Sequence, residues 1–143
     1  GAPYWKPDAR GLITGLTRNS DWKSFVRATI ESVAYQTNDL FDAMNKDGLK
    51  PKIVKIDGGM VANNWFSQFL SDIIDLKIIR PKIQETTALG VALFAGYKVG
   101  VFKSLNQIKR LWRKDRDLKP KISRSLRNNL IKDWNLAIKK TLV

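Results

Sequence analysis

The chain has 143 residues, of which 43% are apolar and 27% charged, a composition typical of one folded domain. It contains no cysteine and no histidine, which excludes disulfides, thiol chemistry, imidazole bases and the usual zinc sites. No apolar run approaches the ~20 residues that span a bilayer, and the opening Gly1-Ala2-Pro3 begins no visible signal peptide. We therefore expect a cytoplasmic protein without a membrane anchor, or a piece of a longer chain.

The positive charge lies mostly at one end of the chain. The net charge is +13 overall, but residues 103–143 hold 13 Lys and Arg against 3 Asp and Glu, whereas residues 1–102 have a net charge of +3. A basic segment can bind nucleic acid or an anionic membrane. The more common interpretation of such a run is a solvated helix face, and we favour that interpretation here.

The chain opens with an irregular region and a long helix. Residues 1–20 are rich in Pro, Gly and polar side chains, which indicates a loop with a short strand at Leu12–Leu16. Ser20 is the predicted N-cap of the helix. From Asp21 to about Met44 the apolar side chains recur every three or four positions, the spacing of an amphipathic helix, and Asp47-Gly48 ends it.

Strand and helix patterns alternate in the middle of the chain. The run Ile53–Ile56 is apolar and β-branched, so it predicts a buried strand. Helical spacing follows over Trp65–Ile74, and Leu76–Ile79 predicts a second strand that Pro81 stops. With a third helix after it, this order predicts two parallel strands joined by a right-handed crossover.

The basic end of the chain is predicted to be mostly helical. A short helix over about Leu105–Trp112 precedes Arg113–Lys121, which is charged and predicted to be irregular. A last helix runs from Ser123 to about Thr141. Its predicted inward stripe consists of Leu126, Leu130, Trp134, Ala137 and Ile138.

The segment most informative about function is Asp57–Asn64, between the first predicted strand and the next helix. Gly58 and Gly59 allow a tight turn and the close approach of another backbone or a phosphate. The helix N-terminus presents amides and the positive end of its dipole, at the strand ends where ligands of α/β sheets bind. Asn63 offers a donor and an acceptor to a base or ribose. An ordinary tight turn explains the spacing equally well. The segment matches neither the G-x-G-x-x-G fingerprint nor a Walker A loop, so it is not read as either motif.

A carboxylate stands at each of two strand-to-helix corners. Asp57 either holds a metal through water or, more commonly, caps the next helix. Glu85 begins the second corner and would line the same crevice, while Thr86 or Thr87 is the predicted cap of a third helix over about Ala88–Val99. Small residues on this helix permit close packing; they are Gly90, Ala92, Ala95 and Gly96.

Five stretches of the chain resemble, in order and spacing, the C-terminal domain of the FGGY carbohydrate kinases and, within that family, of the glycerol kinases. They are Gly1–Gly11, Gly15–Arg18, Arg27–Thr37, Asp57–Asn64 and Glu85–Gly90. The resemblance extends over essentially the whole chain and is weaker after Trp112. It implies an α/β domain with the actin-like ATPase, or ribonuclease H-like, fold and a helical basic tail.

The resemblance also implies an activity and a site. Enzymes of this family transfer the γ-phosphoryl group of ATP, with Mg²⁺, to a glycerol hydroxyl, and the nucleotide lies in a cleft between two domains. By position, Gly59 and Asn63 contact ATP or ADP, Gly58 shapes the loop, and Asp57 orients the loop or a water around Mg²⁺. A homo-oligomer of the intact enzyme is a further expectation.

Other parts of the family's machinery are expected outside this sequence. The catalytic Asp, the glycerol contacts and the first phosphate-binding hairpin of the family have no counterpart here, so we expect no catalytic residue and no metal ligand in the chain. Residues 1–112 are predicted to be the later part of the C-terminal nucleotide-binding domain, and residues 113–143 a basic tail whose helix packs back on it. The predicted protein is part of a glycerol kinase and lacks turnover by itself.

Two alternatives stay open. A small basic α/β binding module would dock nucleic acid or an acidic partner through the tail, but the apolar stripe predicts that the last helix folds back onto a body. Another FGGY sugar kinase, such as a xylulose kinase, would share most of the motifs. The loop Gly1–Trp5 argues against that alternative by resemblance alone.

Overall fold

A computed structural model describes residues 2–142 of the chain. Its elements, in chain order, are α1 (Trp22–Lys46), β1 (Ile53–Lys55), a 3-10 turn (Gly59–Ala62), α2 (Asn64–Ile74), β2 (Lys77–Pro81), α3 (Thr86–Lys98), α4 (Leu105–Lys109), β3 (Lys114–Leu118) and α5 (Arg124–Thr141). Across the described residues, no helix combines the length and apolar character needed to cross a membrane.

The region before α1 differs from its prediction in two ways. Leu12–Leu16 forms no strand, because none of the described strands runs beside it to complete a ladder. The side chains of this segment are exposed. The N-cap of α1 is Asp21 instead of Ser20. Its Oδ1 accepts from the amide and from the hydroxyl of Ser24, each at 2.9 Å, and the Asp21 amide donates to the same hydroxyl at 3.4 Å. These hydrogen bonds from Ser24 lower the pKa of Asp21.

The sheet has three strands in the order β1-β2-β3. β1 and β2 are parallel, with Val54 opposite Ile78, so the predicted parallel pair is confirmed. β3 joins the other edge of β2 in the antiparallel sense. The prediction that 113–121 is irregular is therefore wrong. The sequence of β3 is charged and has no apolar face, and cross-strand ion pairs such as Lys77–Asp117 support it instead.

The core forms where α2 packs against α1 and the sheet. Its buried side chains are Ala34, Tyr35, Val61, Phe66, Phe69, Leu70, Ile73, Ile74 and Ile78. The β1 strand contributes less than predicted, since Ile53 is 51% exposed and Val54 is half-buried. This prediction of a buried strand is wrong because β1 is an edge strand and α1 packs chiefly on α2. The first turns of α1 are also exposed, with Trp22 at 70%.

The last helix packs back onto the core. The ring of Trp134 stacks on that of Tyr35 with centroids 5.3 Å apart, and burial raises the pKa of Tyr35 to about 12. The Arg127 Nε donates to the Ile73 carbonyl at 2.7 Å. Ser123 caps α5 by accepting from the Leu126 amide. The inward stripe is shorter than predicted, because Leu126 itself is exposed.

The third helix, α3, has no buried residue. Its N-cap is Glu85, without a side-chain cap bond, so the prediction of a threonine cap is wrong. Close packing by small residues occurs at Gly96, where a Cβ would lie 2.8 Å from the Phe102 ring. At Gly90 a Cβ would meet nothing within 4 Å. Apolar side chains of α3, such as Phe94, face outward.

Candidate functional site

The loop after β1 is shaped by a single glycine with positive φ. The Ile56 amide makes the last ladder bond, to the Ile79 carbonyl at 3.1 Å. Gly58 then adopts φ 90° and ψ 171°, a region that L side chains rarely adopt. The turn leads directly into the 3-10 turn Gly59–Ala62. The predicted role of Gly58 in shaping the loop therefore has a conformational basis.

The two strand-to-helix corners meet at this loop. The Gly58 amide donates to the Gln84 carbonyl at 2.9 Å, and the Thr86 hydroxyl donates to the carboxylate of Asp57. The more common interpretation, in which Asp57 caps α2, is therefore wrong. The described hydrogen bond of Asp57 joins the first corner to the start of α3 instead. Glu85 is exposed beside them.

Asn63 is the N-cap of α2. Its Oδ1 accepts from the amides of Trp65 at 2.9 Å and Phe66 at 3.2 Å. This is the local role that the plain tight-turn interpretation predicts. The side chain is nevertheless exposed, and its described hydrogen bonds use the oxygen alone. The Nδ2 group can therefore serve as a donor to a ligand while the oxygen holds the helix.

Gly59 faces open space. A Cβ built on it would meet no atom of the chain within 4 Å. Its φ lies outside the left-handed region, so a side chain here would be unstrained but would fill the space above the backbone. An outside group can therefore reach the backbone at Gly59, whereas the conformational demand belongs to Gly58.

A cavity of 310 Å³ opens beside Asn63, between α1 and the start of α2. The guanidinium of Arg27 lies over the ring of Trp65, 5.5 Å from its centroid. Sequence reasoning missed Arg27 as a neighbour of the loop, because Arg27 comes from α1 and only the fold brings it to Trp65 at the start of α2. It also missed Arg80 on β2, which lies buried behind the 3-10 turn. A lone arginine in a strand gives no pattern that points to a loop 19 positions earlier.

Similarity to known proteins assigns the chain to a family. Residues 1–99 match the C-terminal domain of the FGGY family of carbohydrate kinases, and the chain belongs to that family. It is 47% identical to the glycerol kinase of Sinorhizobium fredii over all of its own length and 29% of the relative. The chain thus spans less than a third of this curated relative.

Solved structures support the same assignment. Plasmodium falciparum glycerol kinase with ADP is similar at a TM-score of 0.84 and 39% identity, over 99% of this chain and 29% of that one. A ligand-bound xylulose kinase from Lactobacillus acidophilus is similar at 0.71 and 26% identity, over 96% of this chain and 28% of that one. These matches confirm the predicted α/β actin-like fold, and the higher identities are with glycerol kinases.

Proposed function

We propose that this chain forms part of the ATP/ADP site of a glycerol kinase, which phosphorylates glycerol to glycerol 3-phosphate. The observation that carries the proposal is the turn at the meeting of the two corners, where Gly59 leaves open space above the backbone and Asn63 keeps a free amide donor. The similarity to glycerol kinases, one of them solved with ADP, gives this geometry its ligand class.

Each residue of the turn has a distinct role in this proposal. Gly58 supplies the positive φ that turns the chain from β1 into the 3-10 turn. The backbone at Gly59 lies close to the nucleotide, and the Nδ2 of Asn63 donates to it. Asp57 acts by orientation, because its carboxylate fixes the start of α3 through Thr86.

Mg²⁺ would accompany the nucleotide, and the residues present fit it in one way. Asp57 is the single carboxylate of the loop, and no group of three or more Asp or Glu lies together among residues 2–142. Mg²⁺ in kinases is commonly held by one or two carboxylates, several waters and the phosphates. These residues therefore fit a Mg²⁺ ion that is bound mainly by the phosphates of the nucleotide. Asp57 would contact this ion through a water molecule. When bound, the ion neutralises charge on the phosphates.

Glycerol and the catalytic carboxylate are proposed to meet this site from a part of the kinase outside the chain. Exposed apolar side chains on α3 and just after it give such a part a surface on which it can pack. They are Val91, Phe94, Val99 and Val101. A cytoplasmic location and a homo-oligomeric intact enzyme stay predictions.

The test is an assay of the complete polypeptide that carries this sequence, with ATP, Mg²⁺ and either glycerol or xylulose. We expect glycerol phosphorylation, and none from the 143-residue chain alone, because phosphoryl transfer needs several loops around the phosphates. Turnover by the chain alone at ~1 s⁻¹, the low end for kinases, would contradict this division of the site. A preference for xylulose would favour the alternative sugar kinase.

A further inference from the structure

Arg80 connects the proposed nucleotide loop to the far edge of the sheet. It lies on the central strand β2, and the residue is 4% exposed. The Nη1 atom donates to the Val61 carbonyl, in the 3-10 turn, at 2.7 Å. The Nε and Nη2 atoms donate to one carboxylate oxygen of Asp115, on β3, at 2.9 and 2.6 Å. One guanidinium thus holds two segments that are 54 positions apart.

A buried cation fixes its surroundings when its hydrogen bonds go to defined acceptors. Burying an unpaired charge is strongly unfavourable, so Arg80 requires a partner, and Asp115 supplies the carboxylate. The planar guanidinium makes these bonds in a fixed fork, unlike the flexible ammonium of lysine. The direction of Nη1 toward Val61 is therefore set by the ion pair with Asp115.

The carbonyl of Val61 is held from two sides. It accepts from the Ser67 hydroxyl at 2.9 Å as well as from Arg80. Val61 is the buried residue of the turn, while Gly59 and Asn63 lie exposed on either side of it. Movement of this carbonyl would therefore move the backbone between the two exposed groups.

We propose that Arg80 is a positioning residue for the nucleotide, acting through the Val61 carbonyl, and that Asp115 orients Arg80. This inference rests on the proposed function for its ligand. It also gives β3 a role, although β3 lies beyond residues 1–99, which match the family. The nucleotide loop and the basic end of the chain then belong to one hydrogen-bonded unit.

The matched control is the ion pair between Lys77 and Asp117. It joins the same two strands at 3.3 Å, but neither residue has a described hydrogen bond to the turn. If Arg80 only fastened β3 to β2, the two variants would affect ATP binding and the turn in proportion to their losses of stability, and the loss is smaller for the more exposed Lys77 pair. If Arg80 positions the turn, the effect of Arg80→Met on ATP binding and on the turn will exceed that proportion.

The first measurement is kinetic and uses the complete polypeptide. Arg80→Met is expected to raise the KM for ATP about ten-fold, the effect of losing the hydrogen bond from a charged group to the Val61 carbonyl. The KM for glycerol should change much less. Arg80→Lys should recover part of the loss, Asp115→Asn should raise the KM for ATP by a smaller factor, and Lys77→Met should leave it unchanged. Equal effects of Arg80→Met and Lys77→Met, or an unchanged KM for ATP in Asp115→Asn, would overturn the inference.

The second measurement does not depend on activity. Amide hydrogen exchange of residues 57–66 should be faster in Arg80→Met and Asp115→Asn than in the parent, and unchanged in Lys77→Met. If Arg80→Met does not fold, Asp115→Asn decides, since its side chain is partly exposed. Unchanged exchange in Asp115→Asn would contradict the positioning role of Arg80, even if the complete polypeptide phosphorylates glycerol. An inactive parent with the expected exchange pattern would instead count against the proposed function.

Discussion

The indole Nε1 of Trp134 donates a 2.8 Å hydrogen bond to the carboxylate of Asp39, and this contact ties the last helix to the middle of the first. Asp39 is 7% exposed, and its burial raises its pKa, against the lowering effect of the hydrogen bond from Trp134. The basic end of the chain is thereby packed on the core through a buried acidic group.

The raised pKa of Asp39 predicts a specific pH dependence of stability. A raised pKa means that the folded state binds the proton more readily than the unfolded state, so this group favours folding at low pH and loses that contribution as pH rises through its folded pKa. Asp39→Asn is neutral throughout and keeps an acceptor for Trp134. In urea unfolding, the stability of the parent relative to Asp39→Asn should rise as pH falls from 7 toward the ordinary value of 3.8. A difference that is constant or falls with acidification would contradict the assignment.

The two loop glycines should respond oppositely to alanine. Gly58→Ala places a side chain at φ 90° and ψ 171°, and should destabilise the fold by about 1–3 kcal/mol. Gly59→Ala meets nothing within 4 Å, so its melting temperature should equal that of the parent, while the KM for ATP of the complete polypeptide rises. Thermal melting and ATP kinetics on both variants check this pair. A normal KM in Gly59→Ala would show that no ligand approaches the backbone there.

Asn63→Asp should separate the capping role from the ligand role. Asp caps a helix as well as Asn does, so melting should be preserved. The charge would repel phosphates and the amide donor is lost, so we expect the KM for ATP to rise about ten-fold. Asn64→Asp is the control, because Asn64 is the neighbouring exposed asparagine and its side chain has no described hydrogen bond and no role in the proposed site. Equal ATP defects in the two variants would mean that the wrong asparagine has been assigned to the nucleotide.

The basic charge of the tail should not produce specific nucleic-acid binding. Binding through many phosphates weakens steeply with salt, and we expect weak DNA binding that is lost near ~0.15 M salt. The test variant replaces Lys132, Lys139 and Lys140 by Gln, because deleting residues 113–143 would also remove β3 and α5 from the fold. Tight binding at that salt concentration that the triple variant abolishes would support the binding-module alternative.

Local patterns predicted the parts of the fold that depend on neighbours in sequence. The parallel β1-β2 pair and the helix after the glycine turn follow from periodicity and turn residues, and both are confirmed. β3 could not be predicted in this way, because Asp115 and Asp117 become strand residues through partners on β2. The exposure of Ile53 and Trp22 was also unpredictable, since apolar spacing identifies a face but not what covers it.

The candidate site shows the same limit. The glycines and Asn63 stand together in one short segment, so they can be read from the sequence. Arg80 acts from a different strand, and Asp57 has its described hydrogen bond with Thr86, 29 positions later. Such long-range contacts carry no local signal.

The most direct test of the account is an exchange of segments with the Sinorhizobium fredii glycerol kinase, which this chain matches over its whole length. The matching segment of that enzyme is replaced by the 143 residues, and glycerol phosphorylation and ADP binding are measured on the folded product. We predict an active kinase whose KM for ATP lies within about ten-fold of that of the host, and whose activity depends on Asn63. A folded exchange protein that neither binds ADP nor phosphorylates glycerol would contradict the claim that this chain supplies part of the nucleotide site.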